Sequence, residues 1–216
     1  MEHRHRLIPT THNRNIIPER RFPITGKLLI TAMTYQEIID KYYPDDNELR
    51  HIYMKHARQV ADLALAINRE RSLNLDPVEV ESAAMLHDIG IFATNAPGIH
   101  CHGDAHYMRH GVIGARLLRN EGAPESWALV AERHTGTGIT MEDILQQQLD
   151  LPLGDYCPES MLEKLICYAD KFYSKSGDMA KKPLSRVRNS IARHGSDSLS
   201  RFDRLHEIFA IPDTEA

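Results

Sequence analysis

The sequence predicts an all-α fold, and three observations carry that expectation. From Met33 onward, apolar residues recur at three- and four-residue spacing, the period of one helical face. Breaks between these runs fall where a capping residue precedes a run or where Pro and Gly interrupt it. No stretch alternates convincingly with period two, and no hairpin signal stands between such stretches.

Taken in order, Thr34 with Glu37 three residues on reads as a capping box that opens the first helix. A long helix is expected over about 47–70, with Tyr53, Ala57, Val60, Ala64 and Ile67 on one face. Asp76-Pro77 supplies a cap and a first-turn proline for the next helix, which runs to Leu86 or His87 and stops before Gly90. Residues 91–104, with Pro97, Gly98 and Gly103, read as a loop. Helices follow over about 105–120 and 124–133, then a Thr135-Gly136-Thr137-Gly138 break and a short helix near 141–148. Residues 151–158 connect to a helix over about 159–174, and weaker helices over 184–193 and 198–209 finish the chain.

Residues 1–32 read differently. Six Arg and Lys stand there against two Glu, a surplus of four positive charges that leaves the remainder at −8 within a net charge of −4. Pro9, Pro18 and Pro23 interrupt any helix. The expectation is a disordered basic leader, with an anion- or partner-binding arm as the other reading. Translation starting at Met33 is a linked expectation, which the intact mass of natively expressed protein tests. Residues 33–216 are expected to form a single domain.

A chain of 216 residues is long enough to bury a core without disulfide staples. Cys101, Cys157 and Cys167 lack C-x-x-C spacing and are too scattered for a disulfide framework, so a reducing cytoplasm is expected. No apolar run approaches the roughly eighteen residues of a membrane span. The negative net charge and the lack of a basic, aromatic-lined stretch argue against polymeric nucleic acid as partner.

Polar residues then fall where core residues should. His87 follows Val80, Ala83 and Ala84 on one face; His56 shares a face with Val60 and Ile67. His110 leads Ile113, Gly114 and Leu117, His134 ends Trp127, Val130 and Ala131, and Asp170 follows Leu162, Ile166 and Ala169. Taken singly, such a histidine is more often a hydrogen-bonded core residue, and such an aspartate more often a cap or an ion-pair partner. Five helices each aiming one inward, with Asp88 beside His87, are explained most simply by converging ligands. Imidazole and carboxylate donors suit Fe, Mn, Co or Zn, and the lack of thiolates disfavours a structural Cys-type zinc site.

His56, the His87-Asp88 pair and Asp170 resemble the H…HD…D signature of the HD superfamily of metal-dependent phosphohydrolases. His110 and His134 resemble the two extra histidines of its two-metal members, which include the HD-GYP cyclic-dinucleotide phosphodiesterases and the HD-type symmetric diadenosine-tetraphosphate hydrolases. The resemblance covers roughly His51 to Ser174 and is nearest to the HDIG-type predicted hydrolases, through Leu86-His87-Asp88-Ile89-Gly90, His134-Thr-Gly-Thr-Gly138 and Tyr168-Ala169-Asp170.

That resemblance implies an HD-domain helical bundle. His56, His87, Asp88 and Asp170 would hold a first metal, and Asp88 would bridge to a second held by His110 and His134. A hydroxide between the ions would attack phosphorus. Arg133 and Lys171 are expected to contact phosphate, with surface charge as the other reading. Ile91 stands where HD-GYP proteins carry Lys and the GYP string is absent, which argues against cyclic-dinucleotide cleavage. The Glu-Asp pair of guanosine-tetraphosphate hydrolases is not evident either. His100, His102 and His106 are expected either in an exposed loop or at the mouth of the site; a separate zinc site on His102, His106 and His110 is the further possibility their spacing leaves.

The expected activity is therefore divalent-metal-dependent hydrolysis of a phosphate ester or anhydride in a small phosphorylated molecule, a nucleotide by preference. The alternatives are a symmetric diadenosine-tetraphosphate hydrolase and a metal-dependent nucleotide sensor without turnover.

Overall fold

A computed structural model describes residues 33–215. The expectations for residues 1–32 lie outside the described residues. Contacts gather the described residues into one compact unit.

The unit is built on helices that begin where the sequence supplies caps. Helix α1 (Tyr35–Tyr42) opens on the expected capping box, with Thr34 and Glu37 each satisfying the other's backbone N–H. Helix α2 (Glu48–Glu70), capped by Asn47, is the spine and carries His56 on its buried face. Helix α3 (Pro77–Leu86) opens on the Asp76 cap, whose Oδ1 accepts from Val78 N at 2.9 Å. From Ser82 through Ile91 every residue is buried, so α3 and the turn after it are the centre of the molecule. The second half of α3, Ser82–Leu86, is accordingly small and apolar apart from Ser82, while Glu79 and Glu81 stand toward its more open start.

The loop over 91–104 is more ordered than expected. Asn95–Ala96 and Cys101–His102 pair antiparallel, with Ala96 opposite Cys101. Helix α4 (His110–Asn120) starts five residues later than the sequence reading, because Tyr107–Arg109 form a tighter turn of helix first. His106 caps that turn, its Nδ1 accepting from Met108 N at 3.2 Å. Helices α5 (Glu125–Arg133), α6 (Met141–Gln147), α7 (Met161–Asp170), α8 (Leu184–Ala192) and α9 (Ser196–Phe209) follow near their expected places. A short α10 (Pro212–Glu215) was not anticipated. Helix α2 packs on α3, α4 on α5, and α7 lies against α2, α5 and α9. Tyr168 anchors the last contact, its ring centroid 5.7 Å from Phe202 and 5.6 Å from Phe209.

Gly90 corrects the sequence reading. It was expected to end α3, yet its φ of −86° is open to any residue. What requires glycine is space: a Cβ there would lie 2.3 Å from His110 O and 2.6 Å from Gly114 N. Gly111 does the same between α4 and α5, where a Cβ would meet Ala131 O at 2.6 Å. These two close approaches draw the ends of α4 and α5 onto the turn after α3.

Candidate metal centre

The turn after α3 presents His87 and Asp88 inside the core, both fully buried. Its backbone is braced on both sides by tyrosines: Tyr53 donates to Met85 O at 2.6 Å and Tyr43 to Ile89 O at 3.1 Å. Around it converge His56 from α2, His110 from the start of α4, His134 at the end of α5 and Asp170 at the end of α7. All six residues anticipated from the sequence are thus brought together.

They form two groups that share Asp88. In the first, Asp88 Oδ2 lies 3.1 Å from His56 Nε2 and 3.0 Å from His87 Nε2, while Asp170 Oδ1 lies 3.0 Å from His56 Nε2. In the second, Asp88 Oδ1 lies 3.4 Å from both His110 Nε2 and His134 Nε2. One carboxylate therefore turns one oxygen to each group.

The backbone fixes how three imidazoles are presented. His87 Nδ1 lies 2.6 Å from Ala84 O, His110 Nδ1 2.7 Å from Tyr107 O, and His134 Nδ1 2.9 Å from Ala131 O. A carbonyl only accepts, so each Nδ1 carries the proton and each Nε2 is turned to the cluster. Burial drives the pKa of His110 down to about 3 and lowers that of His134, so both rings are neutral. Their Nε2 lone pairs nevertheless face each other at 3.1 Å. Burial alone would raise Asp88 and Asp170; the nearby positive charges, His87 and Lys175 for Asp88 and Lys171 for Asp170, outweigh it and hold both well below the usual carboxylate range. Asp88 is thus an ionised, buried carboxylate, and neither of its oxygens has a partner in hydrogen-bonding geometry.

A buried carboxylate without hydrogen bonds and opposed lone pairs are both costly, and a cation in each group relieves both. The residues fit divalent ions, with His56, His87, Asp88 and Asp170 around one and Asp88, His110 and His134 around the other.

Arg133 and Lys171, the two cations expected to contact phosphate, are both ion-paired. Arg133 Nη1 lies 3.0 Å from Glu163 Oε2 and 3.2 Å from Glu159 Oε2, so its charge ties α5 to the start of α7. Lys171 Nζ lies 2.8 Å from Asp170 Oδ2 and donates to His134 O at 3.1 Å, bracing two cluster residues from behind. His100, His102 and His106 are exposed and belong to neither group. Their spacing is not helical, because α4 begins only at His110.

The sequence reading missed Lys175, whose Nζ comes to 2.6 Å from Asp88 Oδ2, though not in hydrogen-bonding geometry. It also missed Tyr107, stacked on His110 with centroids 4.7 Å apart, and Thr135, whose Oγ1 is 3.4 Å from His110 Nε2. Lys175 follows the end of α7, where helical periodicity says nothing. Two cavities adjoin the cluster through these residues. One, of about 420 Å³, is lined by Tyr107, Ser174, Lys175 and Ser176. The other, of about 290 Å³, is lined by Thr135 with Met108, Ile139, Leu149 and Ile191.

The HD domain family matches residues 53–174, more than half of the chain. A Picrophilus torridus protein named tRNA (cytidine(56)-2'-O)-methyltransferase is 29% identical over 191 residues, covering 84% of this chain and 51% of that one. An uncharacterized protein of Methanocaldococcus jannaschii is 40% identical over 109 residues, covering 50% of this chain and 56% of its own. The chain therefore spans about half the length of these relatives. Among solved structures, the HD domain of the L. monocytogenes phosphodiesterase PgpH is similar with a TM-score of 0.49 and 15% identity, covering 84% of this chain and 90% of that one. No described helix is long and apolar enough to cross a membrane.

Proposed function

The chain belongs to the HD-domain superfamily of metal-dependent phosphohydrolases, and from that premise we propose that it hydrolyses a phosphate ester or anhydride of a small nucleotide with two divalent ions bound. The observation that carries this reading is the buried Asp88, with one oxygen toward each of two ligand groups. When bound, divalent ions at such a site supply Lewis acidity toward phosphoryl oxygens and a nucleophilic water at neutral pH.

The chain's own residues do the rest. Carbonyl contacts from Ala84, Tyr107 and Ala131 turn Nε2 of His87, His110 and His134 toward the cluster, the nitrogen a cation would take. Lys171 keeps Asp170 in place. The side chains of the six residues are almost wholly enclosed, with Asp170 the most open at 12%, so water reaches the cluster mainly from the Asp170 and Lys175 side. The cavity beside Thr135 supports a nucleotide: its walls are largely apolar, with Gln147, Ser198 and Arg201 able to bond the edge of a heterocycle.

Protein purified without added metal is expected to carry about two divalent ions per chain. Activity on a panel of nucleoside mono-, di- and triphosphates, diadenosine tetraphosphate and cyclic dinucleotides, with Mn or Fe supplied, identifies the substrate. A tRNA belongs in that panel because of the Picrophilus relative's name. Asp88→Ala should lose activity and metal content together. Protein without ions and without turnover on any member of the panel would falsify this reading.

A further inference from the structure

We propose that Lys175 is an exchangeable cation. It neutralises Asp88 while the first ligand group is empty of metal, and on metal loading it leaves Asp88 and binds a phosphate oxygen of the substrate. The inference rests on the reading above and adds a residue and a sequence of events to it.

Asp88 Oδ2 is the oxygen that faces His56 and His87, at 3.1 and 3.0 Å. Lys175 Nζ stands 2.6 Å from that same atom. A divalent ion in the first group and an ammonium on the same oxygen repel each other strongly in a site shut off from water, so loading the ion weakens the lysine's hold. Of the two, the lysine is the one free to move. Among the described residues its one ion pair is with Asp88. Its four-carbon stem carries three rotatable donors. It also lines the 420 Å³ cavity beside Tyr107, Ser174 and Ser176, so its ammonium has a place to go.

The neighbouring cations have no such freedom. Lys171 is held by both Asp170 and His134 O, and Arg133 by both Glu163 and Glu159. Once it leaves Asp88, Lys175 would stand in the cavity that Ser174 and Ser176 also line, close to the six-residue cluster. Phosphate is the ligand chemistry that an ammonium and hydroxyls recognise there.

The test uses the full chain stripped with a chelator. Mn2+ is titrated into wild type and Lys175→Met, with free Mn2+ followed by its paramagnetic resonance signal. Losing the competing cation should tighten the first Mn2+ site by about tenfold, the scale on which changes beside a metal site act. The Mn-loaded variant should bind inorganic phosphate about tenfold more weakly, the loss of one charge-assisted hydrogen bond. Unchanged or weaker Mn2+ binding by the variant overturns the proposal, and so does unchanged phosphate binding.

Because Lys175→Met leaves Asp88 unneutralised in the stripped protein and so threatens its folding, wild type supplies an independent measure. Reductive methylation mapped by mass spectrometry should find Lys175 protected in stripped protein, reactive after Mn2+ loading, and protected again with phosphate. Reactivity that ignores Mn2+ overturns the exchange. Wild type that binds no Mn2+ at all removes the proposed function itself, whereas wild type that binds Mn2+ beside an unaltered variant removes only the role of Lys175.

Discussion

At the scale of the residue, burial separates the charges that serve the cluster from those that serve the fold. Asp88 is buried without a hydrogen bond, while Glu163 is buried with several: it accepts from Glu159 N and Ser160 N and pairs with Arg133. Burial alone would raise the Glu163 pKa, but these bonds outweigh it and hold it below the usual value of 4.5. A depressed carboxylate contributes stability that is present above its unfolded pKa and is lost as pH falls through the folded value. Glu163→Gln should therefore cost about 1–3 kcal/mol at neutral pH. The gap from wild type, read from urea midpoints, should close as the pH drops below about 4.5. A gap independent of pH would show that the carboxylate charge contributes nothing there. Phosphate affinity should be unaffected, because Arg133 is a tie between α5 and α7.

At the scale of the element, two glycines set how near α4 and α5 come to the turn that carries Asp88. Gly90→Ala places a methyl group against the backbone of His110 and Gly114, which cannot withdraw as a flexible side chain would. Overpacking of this kind costs about 1–3 kcal/mol. It should also push His110 away from Asp88 and reduce metal content from about two ions to about one. Metal analysis beside a melting curve checks both; a stable variant with full metal content would mean that α4 has room to move.

For the whole molecule, six candidate ligands from five segments would make a metal-loaded cluster a cross-brace of the bundle. Ions that bind only the folded chain stabilise it by mass action, about 2.7 kcal/mol at a hundredfold excess over Kd. Chelation should therefore lower Tm by about 5–10 °C for a chain of this size. Asp88→Asn should show little further loss on chelation. A Tm that ignores the chelator in wild type would mean the ions carry no folding energy.

The sequence determined the helices and the six inward-facing residues, because caps, apolar period and ligand type are local properties. Thr34, Asp76 and Ser160 cap helices as their side chains require, and His56 and Asp170 occupy faces that periodicity alone marks as buried. Only the tertiary structure decided what each cation pairs with. Arg133 and Lys171 stand next to cluster residues in sequence, yet Glu163, Glu159 and Asp170 claim their charges. Lys175, five residues beyond Asp170, reaches Asp88 because the chain turns back after α7. The role of Gly90 was hidden for the same reason, since a close approach belongs to two segments and neither states it alone. A charge pairs with whatever lies nearest in space, and local sequence carries no measure of that distance.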